Sequence, residues 1–213
     1  GDQCGYKDAI CIVNGGTANG SSSMPCEVKR KGNGSWRNMD ERPSLKIKLD
    51  PDSDLDHPYQ RKLTLNNMVQ DNTNGAEVTS YSTFAKFGVP APRVNHVMVT
   101  LQREGAPEAE PTLYSSVEPI DTPEFLAAHG LDDYSVWEYE NNKPEHKELG
   151  PNFDIRSELE AAIDSSDLKK IWERVDKMAM FRYYAGEVST THRDGMCRRG
   201  TKTNHAHNVY VAR

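Results

Sequence analysis

Polar and apolar residues alternate in several short segments in the first half of the chain. A period of two places every second side chain on one face of a β-strand, so this pattern predicts half-buried strands. The segments are Cys26–Lys31, Ser44–Leu49, Arg61–Leu65, Val94–Leu101 and Thr112–Glu118. We therefore expect this half of the chain to form a sheet.

Apolar residues recur at helical spacing in other segments. Asn74–Phe87 is predicted to be a helix, which Gly88 and Pro90 would end. A short helix is predicted to start at Thr122, and Asp167–Val188 is predicted to be helical. A strand-rich half followed by a helical half predicts a two-lobed α+β protein.

Loop composition suggests where the domains begin and end. Residues 12–25 are rich in Asn, Gly and Ser, and residues 141–152 are strongly charged, so both stretches are predicted to be loops. We expect a loop-rich extension over residues 1–25 and one domain over residues 26–213. The N-terminal lobe would cover about 26–118 and the C-terminal lobe about 119–213.

Charge and hydropathy exclude several classes of protein. The chain has 213 residues with 26 Lys and Arg against 32 Asp and Glu, which gives a formal net charge of −6. Affinity for a phosphate backbone depends largely on basic residues, so generic nucleic-acid binding is not expected. No apolar run approaches the roughly 20 residues of a membrane span.

Cysteines and glycosylation motifs favour an oxidising environment. Three of the four cysteines, Cys4, Cys11 and Cys26, lie close together in the sequence, and Asn19 and Asn33 begin N-x-S motifs. Disulfides and N-glycans belong to secreted or surface proteins. We therefore expect an extracytosolic protein.

Two segments carry residues that suit phosphate binding. Lys31, Gly32, Asn33 and Gly34 form a turn between two predicted strands, and its glycines could let backbone N–H groups approach a phosphate. A hairpin turn or a glycosylated loop is the alternative.

The next predicted strand carries two lysines on one face. We predict that Lys48, or else Lys46, forms an ion pair with Glu77 in the first turn of the predicted helix. Solvated edge-strand lysines and a glutamate that stabilises a helix N-terminus are the alternative.

A third segment carries a candidate catalytic carboxylate. Asp194 follows the second helical region within His-Arg-Asp-Gly, and Asn208 lies farther on. An Asp that orients an acceptor hydroxyl, followed by an Asn that binds magnesium, is typical of phosphoryl transfer. Ordinary protein kinases have four residues between the two, whereas thirteen intervene here. A surface turn is the alternative.

Taken in order, these segments resemble the CotH kinase family, which is named after a bacterial spore-coat protein and is also found as surface proteins in fungi. The matching segments are Val28–Trp36, Ser44–Leu49, Leu63–Asn67 with Asp71 and Glu77, Phe87–Arg93, Tyr114–Asp121 with Phe125 and Leu126, Asp194 with Gly195, and Asn208–Val211. Lys31 stands where the family pattern has Arg.

The resemblance implies an atypical protein-kinase-like fold that uses ATP and Mg²⁺ or Mn²⁺ to phosphorylate Ser or Thr of protein substrates. Asp194 would be the catalytic Asp and Asn208 a metal ligand. Lys48 or Lys46 would contact phosphates, and Glu118 would lie in the segment near the adenine.

The resemblance leaves two functions open. The family has a further metal-binding Asp beyond the position of Arg213, so we expect the chain to be a C-terminally truncated fragment. A catalytically inactive surface or adhesion protein that binds a protein partner is the alternative to a kinase.

Overall fold

A computed structural model describes most of the chain. The described residues are 5–14, 21–32, 34–50, 61–132, 134, 136–140, 143–149, 158, 161–191 and 209–212. They form two compact units, residues 1–78 with 92–119 and residues 79–91 with 120–213.

Six antiparallel strands form the sheet of the first unit. In chain order they are β1 (Lys7–Asn14), β2 (Ser21–Lys31), β3 (Ser44–Leu49), β4 (Lys62–Asn66), β5 (Val94–Val99) and β6 (Thr112–Val117). Their order across the sheet is β1-β2-β3-β4-β6-β5. The strands predicted from alternation are confirmed.

One face of this sheet holds the apolar core of the first unit. Leu45, Leu65 and Tyr114 form one buried cluster, and Met24, Cys26 and Leu49 form another. Burial of each such large side chain stabilises the fold by about 1.5–3 kcal/mol. On β2, β3 and β4 the opposite face carries mostly polar residues, whereas on β6 it includes the buried Val117.

The N-terminal extension differs from the prediction. Residues 12–14 belong to β1 and residues 21–25 belong to β2, so the prediction of a loop-rich stretch is wrong for them. A disulfide joins Cys11 to Cys26, with a Cα–Cα distance of 5.9 Å. Pairing with a neighbouring strand and this covalent link hold residues whose own composition favours loops.

Helices and a second, smaller sheet make up the rest of the fold. The helices are α1 (Ala76–Lys86), α2 (Pro123–Ala128), α3 (Leu168–Trp172) and α4 (Lys177–Thr190). The strands are β7 (Val136–Glu140), β8 (Lys143–Leu149) and β9 (Val209–Ala212), in the order β8-β7-β9. The predicted α+β class, with a strand-rich first half and helices toward the C-terminal end, is confirmed.

Two predictions in this part are corrected. Residues 143–149 form β8 where a charged loop was expected. The helix predicted over Asp167–Val188 is two helices, because Asp176 caps a new one: its Oδ1 accepts hydrogen bonds from the backbone N–H groups of Met178 and Ala179 at 2.8 and 3.0 Å.

Candidate functional site

Lysines dominate the polar face of the six-stranded sheet. They come from three adjacent strands, Lys29 and Lys31 on β2, Lys46 and Lys48 on β3, and Lys62 on β4. Lys29 lies opposite Lys46 and Lys48 lies opposite Lys62. Like charges opposite each other destabilise a sheet, and a bound anion relieves that repulsion. The face is therefore rich in basic side chains, with Glu27 among them as the partner of Lys48.

A chain of hydrogen bonds links one of these lysines to helix α1. Lys31 Nζ donates to Oδ1 of Asn66 at 2.8 Å, and Nδ2 of Asn66 donates to Oε1 of Glu77 at 2.5 Å. The buried hydroxyl of Ser115 donates to the other oxygen of Glu77. The amide oxygen of Asn66 faces the ammonium of Lys31, and its amide nitrogen faces the carboxylate of Glu77. Asn66 therefore connects the two charged groups. We call these four residues the Asn66 relay.

The start of α1 places Glu77 at this relay. Asp71 accepts hydrogen bonds from the backbone N–H groups of Thr73 and Ala76, at 2.9 and 2.7 Å, and so holds the loop that leads into the helix. The hydroxyl of Thr73 also donates to Asp71, and this bond is the main reason that the pKa of Asp71 is lowered. The backbone N–H bonds lower it further, and the slight burial opposes them.

The glycine turn lies at the Lys31 end of the relay. Gly32 has φ +105°, and a Cβ there would lie 2.6 Å from Oγ of Ser35, so this position requires glycine. The buried Asn67 donates from Nδ2 to the backbone oxygen of Ser35 at 2.9 Å. Gly34 is exposed, and Asn33 lies outside the described residues. The turn is therefore anchored to the end of β4, immediately after Asn66.

The predicted ion pair between Lys48 and Glu77 is wrong. Lys48 Nζ lies 3.2 Å from Oε2 of Glu27, its neighbour across the strands, and 3.8 Å from the centre of the Tyr6 ring. Ser44, at the other end of β3, is the residue that lies opposite Lys31. Ser44 and Lys48 are four positions apart along the strand, which corresponds to about 13 Å. Glu77 therefore lies near the end of β3 that is opposite to Lys48, too far away for an ion pair.

Lys46 lies between the two ends of β3, opposite Thr64 of β4. It shares the polar face with Lys31, because residues paired across strands lie on the same face. Its predicted contact with phosphates stays a prediction.

Glu118 forms a buried ion pair with Arg93. It is 2% exposed, and Oε2 accepts hydrogen bonds from the backbone N–H and Nε of Arg93, both at 3.0 Å. Nη2 of Arg93 donates to the other oxygen, Oε1. A buried carboxylate needs such charged donors. The residue ties the end of β6 to the segment before β5, and its place near an adenine stays a prediction.

The predicted catalytic and metal-binding residues cannot be placed. Asp194 and Asn208 both lie outside the described residues. Within the part of the chain that the structure describes, no group of three or more His, Cys, Asp or Glu side chains is arranged to hold a metal ion. The described residues also include no helix long and apolar enough to cross a membrane.

Comparison with known proteins decides the family. The family model described as CotH kinase protein matches residues 28–213, well over half of the chain. The chain belongs to the CotH kinase family. The Asn66 relay, the glycine turn from Lys31 and the Lys46 strand all fall within the matched residues of this CotH kinase family member. No curated protein matches the chain.

Sequence reasoning missed Asn66 and Ser115. Asn66 was visible as the polar residue that follows the predicted strand Arg61–Leu65, and Ser115 as a polar residue within a predicted strand. The side chains of their neighbours Leu65 and Tyr114 face the core. A polar residue that shares a sheet face with lysines signals a polar network on that face. Which carboxylate joins that network depends on the packing of α1, which no local pattern reveals.

Proposed function

We propose that this CotH kinase family member is a protein kinase that transfers the γ-phosphate of ATP to Ser or Thr of protein substrates. The observation that carries the proposal is the Asn66 relay beside the glycine turn, on a lysine-rich face. Phosphoryl transfer needs donors around the phosphates and a lysine held in place by a carboxylate.

The relay supplies an oriented cation. Lys31 is half-buried, and its ammonium gives one of its three N–H donors to Asn66. The carboxylate of Glu77 fixes the amide of Asn66 and, through it, Lys31. In this proposal Lys31 binds a phosphate oxygen, and Lys46 and the backbone N–H groups of Gly32 and Gly34 add donors along the phosphate chain.

Asp194 is proposed as the residue that orients the acceptor hydroxyl. In the reaction the hydroxyl oxygen of the substrate forms a bond to the γ-phosphorus, and the bond from that phosphorus to the bridging oxygen of ADP breaks. The proton of the hydroxyl passes to the carboxylate of Asp194. The position of Asp194 just after α4 and the family resemblance support this role.

Mg²⁺ or Mn²⁺ is proposed as the cofactor on the resemblance alone, with Asn208 as its ligand. An amide oxygen is a donor that magnesium accepts, although carboxylates are its usual protein ligands. Such a cation would neutralise charge on the β- and γ-phosphates.

An extracytosolic location is proposed from the disulfide between Cys11 and Cys26. Stable structural disulfides form in oxidising compartments and are rare in the cytosol. The protein substrates would then be secreted or surface proteins.

The decisive experiment incubates the full chain with γ-labelled ATP, Mg²⁺ and a generic protein substrate. We expect label on Ser and Thr of the substrate or of the chain itself. Asp194→Asn should remove the label and leave the circular dichroism spectrum unchanged. Asp164→Asn, at an exposed aspartate near α3, is the matched control and should retain full activity.

Two outcomes would contradict the proposal. Undiminished labelling by Asp194→Asn would remove Asp194 from the reaction. A folded wild-type chain that transfers no label with Mg²⁺ or with Mn²⁺ would favour the inactive surface protein that binds a partner.

A further inference from the structure

Three residues that are paired across adjacent strands lie in one row beside the start of α1. Asn66 of β4 lies opposite Ser115 of β6, and Ser115 lies opposite His96 of β5. Residues paired across strands lie on the same face of a sheet, so the three side chains share the polar face. Asn66 and Ser115 belong to the Asn66 relay, and His96 extends the row by one strand.

His96 contacts the backbone of the loop that leads into α1. Its Nε2 lies 2.6 Å from the backbone oxygen of Asn74. A carbonyl oxygen only accepts hydrogen bonds, so Nε2 carries the proton in this contact. Asn74 has φ +54°, in the left-handed region, and lies three residues before Glu77. His96 therefore holds the backbone of this loop, while Asn66 and Ser115 hold the carboxylate of Glu77.

The other hydrogen bonds of this loop fix its shape and not its position on the sheet. Asp71 accepts from the backbone N–H of Ala76 through its carboxylate, at 2.7 Å, and from the backbone N–H of Asn74 through its backbone oxygen, at 3.2 Å. These bonds join residues 71–76 to one another. Among the hydrogen bonds of the described residues, the contact with His96 is the one that joins this loop to a strand of the sheet.

We propose that His96 is a positioning residue for the Asn66 relay. By holding Asn74, it fixes the first turn of α1 against the row, so that Glu77 reaches both of its partners at once. Glu77 then fixes the amide of Asn66, which holds Lys31. The consequence for phosphate binding rests on the proposed function, whereas the link from His96 to the relay does not.

This role requires an N–H donor at the position of Nε2 and does not require an imidazole ring. Glutamine offers an amide N–H at a similar reach, whereas leucine offers no donor. His96 is exposed, so neither substitution leaves a cavity in the core, and both variants should fold. His96→Leu therefore removes the bond, and His96→Gln is the conservative variant that should rescue it.

The first test measures phosphate transfer by the full chain with γ-labelled ATP and Mg²⁺. His96→Leu should raise KM for ATP at least about threefold with little change in kcat, and His96→Gln should restore KM to within about twofold of wild type. Asn95→Leu is the matched control, because Asn95 is exposed and its side chain points to the opposite face. An unchanged KM in His96→Leu, or an equal rise in His96→Gln, would overturn the proposal.

The second test needs no catalysis. In a ¹H–¹⁵N NMR spectrum of the full chain, the side-chain amide of Asn66 is identified by its loss in Asn66→Leu. His96→Leu should move this resonance toward that of a free amide, because the bond to Glu77 is weakened, and His96→Gln should leave it in place.

The two tests distinguish failure of this inference from failure of the proposed function. An unchanged Asn66 resonance in His96→Leu would overturn the inference, whether or not the chain transfers phosphate. A shifted resonance in a chain that transfers no phosphate would support the link from His96 to the relay and contradict the proposed kinase activity.

Discussion

Replacing Asn66 with leucine tests the relay through stability. Leucine has the same number and branching of side-chain heavy atoms as asparagine but is somewhat larger, so the change removes the hydrogen bonds to Lys31 and Glu77 while keeping a similar shape. A hydrogen bond to a charged group contributes about 1.5–3 kcal/mol. Since both partners are half-buried, we take the lower value for each bond and expect a loss of about 3 kcal/mol.

The expected loss is large enough to measure by thermal unfolding. For a chain of this size, 1 kcal/mol changes Tm by about 2–4 °C, so Asn66→Leu should lower Tm by about 6–12 °C. Asn95→Leu is the matched control, because Asn95 is an exposed residue of β5 in the same sheet. Exposed substitutions of this kind usually change stability by less than about 0.5 kcal/mol.

Kinetics would distinguish a positioning role from a purely structural one. If Asn66 orients Lys31 toward phosphates, Asn66→Leu should raise KM for ATP more than it lowers kcat, at a temperature where the variant is folded. A Tm within 2 °C of the Asn95→Leu control would refute the relay. A lower Tm with unchanged KM would leave the relay structural and remove Lys31 from phosphate binding.

Three further predictions test other parts of the fold. Gly186→Ala should destabilise the protein by about 1–3 kcal/mol in urea unfolding, because its Cβ would lie 2.6 Å from ring atoms of Phe84. Phe84→Leu in the same chain should recover part of that loss, and additive losses would contradict the clash. Asp71→Asn should lower the urea midpoint at pH 6. The folded pKa of Asp71 is depressed, chiefly by Thr73, so its contribution is complete above the unfolded value of 3.8 and disappears as pH falls through the folded value. The difference in urea midpoint between wild type and Asp71→Asn should therefore shrink below pH 3.8. A difference that does not depend on pH would show that the charge of Asp71 is not involved. Reduction of the disulfide between β1 and β2, which spans 15 residues, should cost roughly 3 kcal/mol in urea unfolding, and an unchanged midpoint would show that it does not constrain the chain.

Alternation predicted strands within β2, β3, β4, β5 and β6, whereas β1 lies in the stretch that was expected to be a loop-rich extension. Leu45 and Ile47 face the core cluster while Lys46 and Lys48 lie on the polar face, so the period of two is visible in the sequence. β8 has no such period, since Lys143–Leu149 is mostly charged and contains Pro144. Its pairing with β7 is a tertiary effect, so composition alone pointed to a loop.

The sequence predicted which kinds of residue form the candidate site better than it predicted which of those residues contact each other. Residue types and spacing indicated a lysine strand, a glycine turn and a helix bearing Glu77. The partner of Glu77 depends on where the first turn of α1 lies, and its hydrogen bond to Ser115 lies away from Lys48.

The match to the CotH family begins in the middle of a strand, at Val28 of β2. Seven residues of that strand, Ser21–Glu27, precede it, and they include Met24 and Cys26, which pack on Leu49. We therefore expect the family-matched stretch to depend on residues 21–27 for part of its core. A truncation before Val28 would remove the β2 residues that pair with the end of β3 and would expose Leu49 to solvent. The family-matched region expressed alone should therefore have an exposed strand edge that promotes aggregation.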